Sequence, residues 1–265
     1  MPSVFCECDN CKLIRSLGQS EYRTRSQVMI DDCMSIDFPP DAYYHSLKFG
    51  VKFSDLKYIL ATHSHMDHFY AHDFILHGYK YAKLVQPCLE IYGNNEVKKV
   101  FEECTARELK EEVRPSLKLN VVEPYQELKI GEYRVITLPA KHSKVEQALL
   151  FYVERDGKGY LHFYDTAQVG DEIFLFLKAA DLHVDLVCFD CTFLETMGGR
   201  NARHMGISNN ILMRQKLFDY EIIDRQTKVI ISHFSHNACP TKSKLKEIEK
   251  AFDVIAAYDG LTIEI

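Results

Sequence analysis

Short apolar runs along the chain alternate with segments in which apolar residues recur every three or four positions. These predominantly apolar runs predict buried strands, among them residues 58–61, 133–138, 184–189 and 228–232. The three-to-four spacing predicts amphipathic helices, as at residues 94–112. Strands that alternate with helices and hairpins are typical of a layered α/β protein, with a functional site along one sheet edge.

Capping and turn residues set the expected boundaries of several elements. Ser208 is expected to cap a helix at 209–218, and Thr241 to cap a charged helix that follows it. An Asp-Gly pair predicts a turn before a last strand at 261–265. Residues 72–81 are also expected to be helical.

The densest polar motif follows the first of these apolar runs. Residues 63–68 have the sequence His-Ser-His-Met-Asp-His, which places three histidines and an aspartate within six positions. In an extended segment His63 and His65 share a face, and Asp67 and His68 follow where the chain turns. Neutral imidazoles and a carboxylate suit Zn, Mn or Fe. The motif therefore predicts a metal site in preference to a histidine-rich surface turn.

Other candidate ligands also fall at the ends of predicted strands. His142 and His233 each stand just past a strand, and Asp165 stands at the end of one. A carboxylate at the end of a buried strand is costly unless it is paired or metal-bound, which favours Asp165 as a ligand. A lone histidine is usually structural, but metal binding is favoured beside a cluster that is short of ligands. Asp37 is a candidate partner for a ligand histidine.

The N-terminus carries a second motif, in which Cys6, Cys8 and Cys11 form Cys-x-Cys-x-x-Cys. Three thiolates this close can occupy three corners of a tetrahedral zinc site, with the fourth ligand coming from elsewhere. The alternative is a set of reduced cysteines in a flexible terminus. Cys188 and Cys191 form a Cys-x-x-Cys, but most of it lies in a predicted strand, and buried thiols are expected there.

Composition and charge limit the classes of function. The chain has 265 residues, of which 46% are hydrophobic and 26% are charged, as in ordinary globular proteins. With no linker or repeat, a single domain spanning residues 1–265 is expected. The formal net charge of −6 disfavours binding to long nucleic acid, but it is compatible with a small phosphorylated substrate held by a few local cations.

Targeting signals are not apparent in the sequence. No apolar run approaches the roughly 20 residues that span a bilayer, and the N-terminus lacks the apolar core of a signal peptide. Nine cysteines without such a signal favour a reducing compartment, so we expect a cytoplasmic protein without a membrane partner.

The pattern of candidate ligands resembles that of the metallo-β-lactamase superfamily. The resemblance rests on seven residues in this order: His63, His65, Asp67, His68, His142, Asp165 and His233. It runs through the whole chain and implies a four-layer αβ/βα sandwich, with two mixed sheets face to face and helices outside.

The resemblance also implies a dinuclear centre with Mn²⁺ or Zn²⁺. One metal would be held by His63, His65 and His142. The other would be held by Asp67, His68 and His233, with Asp165 bridging the two. The implied chemistry is hydrolysis by a hydroxide shared between the metals, with Asp67 counted among the catalytic residues.

One branch of the superfamily is similar in further motifs. The cysteine motif, the Arg23-Thr24-Arg25-Ser26 run and Ile36-Asp37 resemble the PhnP-like phosphodiesterases of carbon–phosphorus lyase operons. In that branch three cysteines and a histidine hold a structural zinc.

This second resemblance implies roles for residues outside the seven. The structural zinc would be held by Cys6, Cys8, Cys11 and His236. His204 corresponds to the catalytic-loop histidine of the branch, able to protonate a leaving oxygen. Arg200 and Arg203 are candidates for gripping a second phosphate.

The branch carries three further expectations. The branch acts on small phosphodiesters or cyclic phosphates, so such substrates are expected here. A homodimer is also an expectation that comes from the family resemblance. Its members usually begin with a strand and a glycine-containing turn before the cysteine motif, whereas Met1 lies almost at that motif here. The first family strand is therefore either lacking or encoded upstream.

Other functions within the superfamily are the alternatives, and each is expected to show a feature that this sequence lacks. Thioester hydrolases and β-lactamases usually place glycine where Lys141 stands, and many lactamases use cysteine where Asp165 stands. A transfer-RNA processing nuclease usually carries a substrate-clamping arm, and a flavo-diiron reductase needs glutamate in place of His65. A non-hydrolytic relative in cofactor biosynthesis, or a binding protein, would be expected to have altered ligands.

Overall fold

The computed structural model describes residues 1–196 and 202–265. They form two compact units, each built around its own sheet. The seven-stranded unit comprises Met1–Thr24, Glu127–Ser143 and Leu150–Ile265, and the five-stranded unit comprises Arg25–Gln126 and Lys144–Leu149. The expectation of a single domain stays a prediction.

Six α-helices and twelve strands lie in this part of the chain. The helices are α1 (Asp9–Leu17), α2 (Ala42–Phe49), α3 (Asn95–Thr105), α4 (Asp171–Ala179), α5 (Ile207–Asp219) and α6 (Lys242–Phe252). The strands are β1 (Val28–Ile30), β2 (Met34–Ile36), β3 (Tyr58–Leu60), β4 (Leu89–Gly93), β5 (Leu117–Val121), β6 (Glu127–Ile130), β7 (Tyr133–Pro139), β8 (Leu149–Arg155), β9 (Lys158–Phe163), β10 (Leu186–Asp190), β11 (Lys228–Ser232) and β12 (Ile255–Ala256). No helix of the described ranges combines the length and hydropathy needed to cross a membrane.

The five-stranded unit has the strand order β1-β2-β3-β4-β5. β1 runs antiparallel to β2, and the remaining neighbours are parallel. Its core contains Ile59 and Ile91 from the sheet, packed with Phe69, Phe74 and Phe101. The carboxyl ends of β2 and β3 therefore lie side by side, which brings the residues that follow them to one edge.

The seven-stranded unit has the order β12-β11-β10-β9-β8-β7-β6. β9 to β12 are mutually parallel, and β8 pairs antiparallel with β9 in a hairpin. All five residues of β10 are buried, as expected for a central parallel strand covered on both faces. The core packs Phe163 and Phe189 of the sheet with Phe174 of α4.

Helix boundaries depart from the sequence prediction at two places. α3 begins after Asn94, whose side chain accepts a hydrogen bond from the Val97 N–H, but it ends at Thr105, short of residue 112. The residues beyond Thr105 are mostly exposed and charged, so continuing the helix would bury little apolar surface.

At α5 the cap is Gly206, and the prediction of Ser208 was wrong. A β-carbon at Gly206 would lie 1.9 Å from the Thr196 carbonyl oxygen, so the turn admits only glycine.

At two other places the structure lacks the helix or strand that the sequence predicted. Residues 72–81 contain only a 3₁₀ segment, Ala71–Leu76, which is not a full helix. Residues 261–265 form no strand, because the place beside β11 is taken by β12. The first strand of the described ranges is β1, and it follows the cysteine motif.

Gly159 in β9 is a position where the backbone admits no side chain. A β-carbon there would lie 1.9 Å from the His183 carbonyl oxygen and 2.7 Å from the Tyr152 hydroxyl. Gly159→Ala should therefore lower the free energy of unfolding by about 2–3 kcal/mol through overpacking.

The control is Gly157→Ala in the same hairpin, where φ is +75° but no atom lies within 4 Å. It should cost only about 1 kcal/mol, from backbone strain. Urea unfolding of both variants measures the difference, and equal costs would contradict the close approach.

Candidate metal-binding sites

The predicted histidine motif forms a tight group in the five-stranded unit, just after β3. His63 and His68 are fully buried, and their ring centroids lie 4.3 Å apart. His63 Nε2 lies 2.9 Å from His65 Nδ1, and Asp67 Oδ2 lies 3.9 Å from His68 Nε2. All four predicted ligands of the motif are thus brought together within this unit.

Asp37 fixes the orientation of His68, as the sequence suggested. It follows β2, is fully buried, and places Oδ2 2.6 Å from His68 Nδ1. Its Oδ1 accepts hydrogen bonds from the Thr62 N–H and hydroxyl at 2.9 and 2.8 Å. Burial alone would raise the pKa of Asp37, but His68, His63 and the Thr62 N–H together lower it. The carboxylate therefore holds Nδ1 and leaves Nε2 to face a ligand.

A second group surrounds Asp165 in the seven-stranded unit. Asp165 is buried just after β9, with His142 Nε2 3.4 Å from its Oδ2. His204 Nδ1 and His233 Nε2 lie 2.9 and 3.4 Å from its Oδ1. His142 donates from Nδ1 to the Arg203 carbonyl oxygen at 3.4 Å, which directs Nε2 toward the carboxylate. Three imidazoles thus converge on one buried carboxylate.

Asp190 is a site residue to which the sequence analysis gave no role. It ends β10, is fully buried, and places Oδ2 2.8 Å from His204 Nδ1. Burial disfavours the charged imidazole, but hydrogen bonds to Asp165 and Asp190 outweigh it and raise the pKa of His204 to about 10. The signal that could have found Asp190 is the one that found Asp165, a carboxylate at the end of an apolar strand.

Thr192 and Tyr164 position His233. The Thr192 hydroxyl oxygen lies 2.7 Å from His233 Nδ1 and donates to its backbone carbonyl at 2.9 Å. The His233 N–H donates to the Tyr164 hydroxyl at 3.0 Å. Both backbone polar groups and one ring nitrogen of His233 are therefore fixed, which leaves Nε2 toward Asp165.

The cysteine motif and His236 form a third group, also in the seven-stranded unit. The Sγ atoms of Cys6, Cys8 and Cys11 lie 3.7, 3.7 and 3.4 Å from His236 Nδ1. Zn–S and Zn–N bonds of about 2.3 and 2.0 Å at tetrahedral angles require about 3.5 Å between such atoms. Asn10 Nδ2 donates to the His236 carbonyl at 3.0 Å, tying the two segments together. The donor set and spacing fit zinc.

The surroundings of Cys8 favour its thiolate over its thiol. The Cys11 N–H and His236 together lower the pKa of Cys8 to about 6. A thiolate is the species that binds a metal. Cys188 and Cys191 are both buried, as expected, and burial raises the pKa of Cys188 to about 12.

The prediction that Arg200 and Arg203 bind a phosphate stays a prediction. Arg200 lies outside the described residues, and Arg203 is exposed. Arg23 donates to the Ala257 carbonyl at 2.5 Å, and Arg25 pairs with Asp41 at 3.0 Å. These contacts give Arg23 and Arg25 structural roles.

Comparisons with known proteins agree with the fold. The family model described as the β-lactamase superfamily domain matches residues 38–219 of this chain. A search of curated proteins finds no match.

Several solved structures are similar over nearly the whole chain. A diphosphatase from the PhnP family is 16% identical with a TM-score of 0.70, covering 100% of this chain and 92% of that chain. Zn²⁺-bound PqqB from Methylobacterium extorquens is 15% identical with a TM-score of 0.69, covering 98% and 94%. The short form of human tRNase Z is 16% identical with a TM-score of 0.63, covering 92% of each chain.

At these identities the likeness shows the fold, and it confirms the predicted metallo-β-lactamase architecture. The family model spans more than half of the 265 residues and includes the histidine motif, His142 and Asp165. The chain belongs to the metallo-β-lactamase superfamily.

Proposed function

We propose that this protein is a metal-dependent phosphoric diester hydrolase acting on small phosphodiesters or cyclic phosphates. The observation that carries the proposal is the buried Asp165, on which the candidate ligands His142 and His233 converge, with the candidate proton donor His204 beside them. A carboxylate surrounded by imidazole nitrogens is a donor set for divalent first-row metals. The similar diphosphatase from the PhnP family supports a phosphorylated substrate.

The proposed ligand set is the one that the family resemblance implies. The donors are His63, His65, Asp67, His68, His142, Asp165 and His233, and the nitrogen and oxygen donors serve Mn²⁺ and Zn²⁺ alike. When bound, such ions lower the pKa of a coordinated water to about 7 and neutralise charge on phosphoryl oxygens. Asp37 and Thr192 would orient two of these donors, since each fixes the Nδ1 of a histidine.

His204 is the proposed proton donor to the leaving oxygen. Its Nδ1 is shared between Asp165 and Asp190, so Nε2 is the nitrogen left to meet a substrate. The ring stacks on His233 with centroids 5.4 Å apart and planes at 17°, and this contact limits its rotation. Asp190 would act through His204, by holding the ring and stabilising its protonated form.

The cysteine group is proposed to hold a structural zinc. It joins α1 to the 3₁₀ segment His236–Ala238, which follows β11. A thiolate site of this kind persists in a reducing compartment, and this supports a cytoplasmic location. The homodimer suggested by the family stays a prediction.

The second candidate function is that of a non-hydrolytic relative in cofactor biosynthesis. It is kept because the TM-score to PqqB, 0.69, is nearly equal to the 0.70 for the diphosphatase. Hydrolysis of bis-p-nitrophenyl phosphate by the Mn²⁺- or Zn²⁺-loaded protein separates the two. Turnover would support the phosphodiesterase, and absence of turnover with both metals would overturn it. A precursor transfer RNA in the same assay tests the nuclease alternative.

His204→Asn should reduce kcat by about 10²–10⁴-fold with unchanged metal content, because a general acid is lost but no ligand. The matched control is His183→Ala, an exposed histidine that also faces an aspartate, at 3.4 Å. Steady-state kinetics and plasma emission spectroscopy measure both variants. Full activity of His204→Asn would remove its assigned role.

Asp165→Ala should lower the catalytic metal content, because the proposed bridging carboxylate is removed. The matched control is Asp185→Ala, another aspartate of the same unit with a histidine neighbour. Metal analysis after gel filtration measures the content. Two catalytic metals retained in Asp165→Ala would refute the bridging assignment.

Cys8→Ser should remove one zinc per chain and lower the melting temperature, while the catalytic metals remain. Cys239→Ser is the control, since Cys239 follows His236 by three residues but lies outside the group of metal-binding donors. An equal zinc content in both variants would count against the zinc site.

A further inference from the structure

Glu146 contacts the residue that separates two histidines of the motif. Ser64 lies between His63 and His65 in the sequence. Its N–H donates to Glu146 Oε2 at 3.0 Å, and its hydroxyl donates to Oε1 at 2.8 Å. One carboxylate therefore fixes both the backbone and the side chain of Ser64.

Glu146 is in turn held by the start of α3. Asn94 Nδ2 donates to Glu146 Oε2 at 2.8 Å and to the Gln147 carbonyl at 2.9 Å. Asn94 is buried, and its Oδ1 accepts from the Val97 N–H at 3.0 Å, so the amide cannot rotate without losing the helix cap. The carboxylate is thus anchored to a rigid element.

A backbone contact on the other side of the histidines completes the restraint. The Leu149 N–H donates to the Thr62 carbonyl at 2.8 Å. Thr62 and Ser64 flank His63, and both are tied to residues of the segment 144–149. The loop after β3 contains no helix or strand, and these bonds, together with the bond from the Thr62 N–H to Asp37, hold the backbone around His63.

We propose that Glu146 is a positioning residue that presets the directions of His63 and His65 for metal binding. The inference rests on the proposed function. Both carboxylate oxygens already accept hydrogen bonds from Ser64 or Asn94, which makes Glu146 a support for the ligands instead of a ligand. Partners of this kind typically change metal affinity by about 10–100-fold when removed.

Two substitutions at Glu146 separate geometry from charge. Glu146→Ala removes all three hydrogen bonds and should weaken metal affinity by about 10–100-fold. Glu146→Gln can keep them, because its amide oxygen replaces Oε2 and its amide nitrogen can donate to the Ser64 hydroxyl. The glutamine variant should therefore retain metal affinity within about threefold, since no hydrogen bond is lost.

Glu90→Ala is the matched control for a purely structural role. Glu90 is also half-buried in the five-stranded unit, and its Oε2 accepts from Lys118, Tyr92 and Asn120 at 2.8, 3.0 and 3.5 Å. Loss of this network should lower stability without changing metal affinity. Ser64→Ala is a milder variant that loses one hydrogen bond and should weaken affinity by about fivefold.

The experiment is a chelator competition with Co²⁺ on the full chain, combined with the visible absorption spectrum of the Co²⁺-loaded protein. Weakened binding and an altered spectrum in Glu146→Ala and Ser64→Ala, with Glu146→Gln and Glu90→Ala like the unsubstituted protein, would support the proposal. Wild-type affinity in Glu146→Ala or Ser64→Ala would overturn it. Equal losses in Glu146→Ala and Glu146→Gln would also overturn it, because charge and not positioning would then matter.

Metal affinity and hydrolysis are read independently in this design. If the unsubstituted protein binds Co²⁺ but cleaves no phosphodiester, the proposed activity fails while the role of Glu146 is still measured. If it cleaves phosphodiesters and Glu146→Ala binds Co²⁺ normally, the role of Glu146 fails alone.

Discussion

The candidate sites depend on three carboxylates that are buried at the ends of strands. Asp37 follows β2, Asp165 follows β9 and Asp190 ends β10, and all three are almost inaccessible to solvent. Removing an ionised carboxylate from water costs several kcal/mol unless it is paired. Each is accordingly met by imidazole: Asp37 by His68, Asp190 by His204, and Asp165 by three histidines in all. The histidines that are candidate functional groups therefore also offset the cost of burying these carboxylates.

The backbone is strained at two of these carboxylates and at one histidine that meets them. Asp37, Asp165 and His233 have φ values of +63°, +48° and +59°. None is glycine, so each carries a cost of about 1–2 kcal/mol. Strain of this kind persists where the surrounding structure over-determines a residue, and it clusters at functional sites. At His233 the hydrogen bonds with Thr192 and Tyr164 hold the residue in this conformation.

Local spacing in the sequence was enough to predict the histidine and cysteine motifs, because their members lie within a few residues of each other. Asp190 was not predictable with the same ease. Its contact with His204 depends on how the chain after β10 returns to that strand, and its place near Asp165 depends on the pairing of β10 with β9. The helix cap at Gly206 was missed for a similar reason, since the requirement for glycine comes from the distant Thr196 carbonyl. Propensity favoured Ser208, and tertiary context overrode it.

The segment after β11 links two of the groups through one short piece of backbone. His233 faces Asp165, and His236, three residues later, faces the cysteines. Asn10 of α1 holds the His236 carbonyl, and Thr192 holds the His233 carbonyl, so the segment is fixed at both ends. A metal in the cysteine group would thus restrain the backbone that carries His233 without touching its imidazole. The proposed structural zinc would therefore support the position of a candidate ligand without binding it.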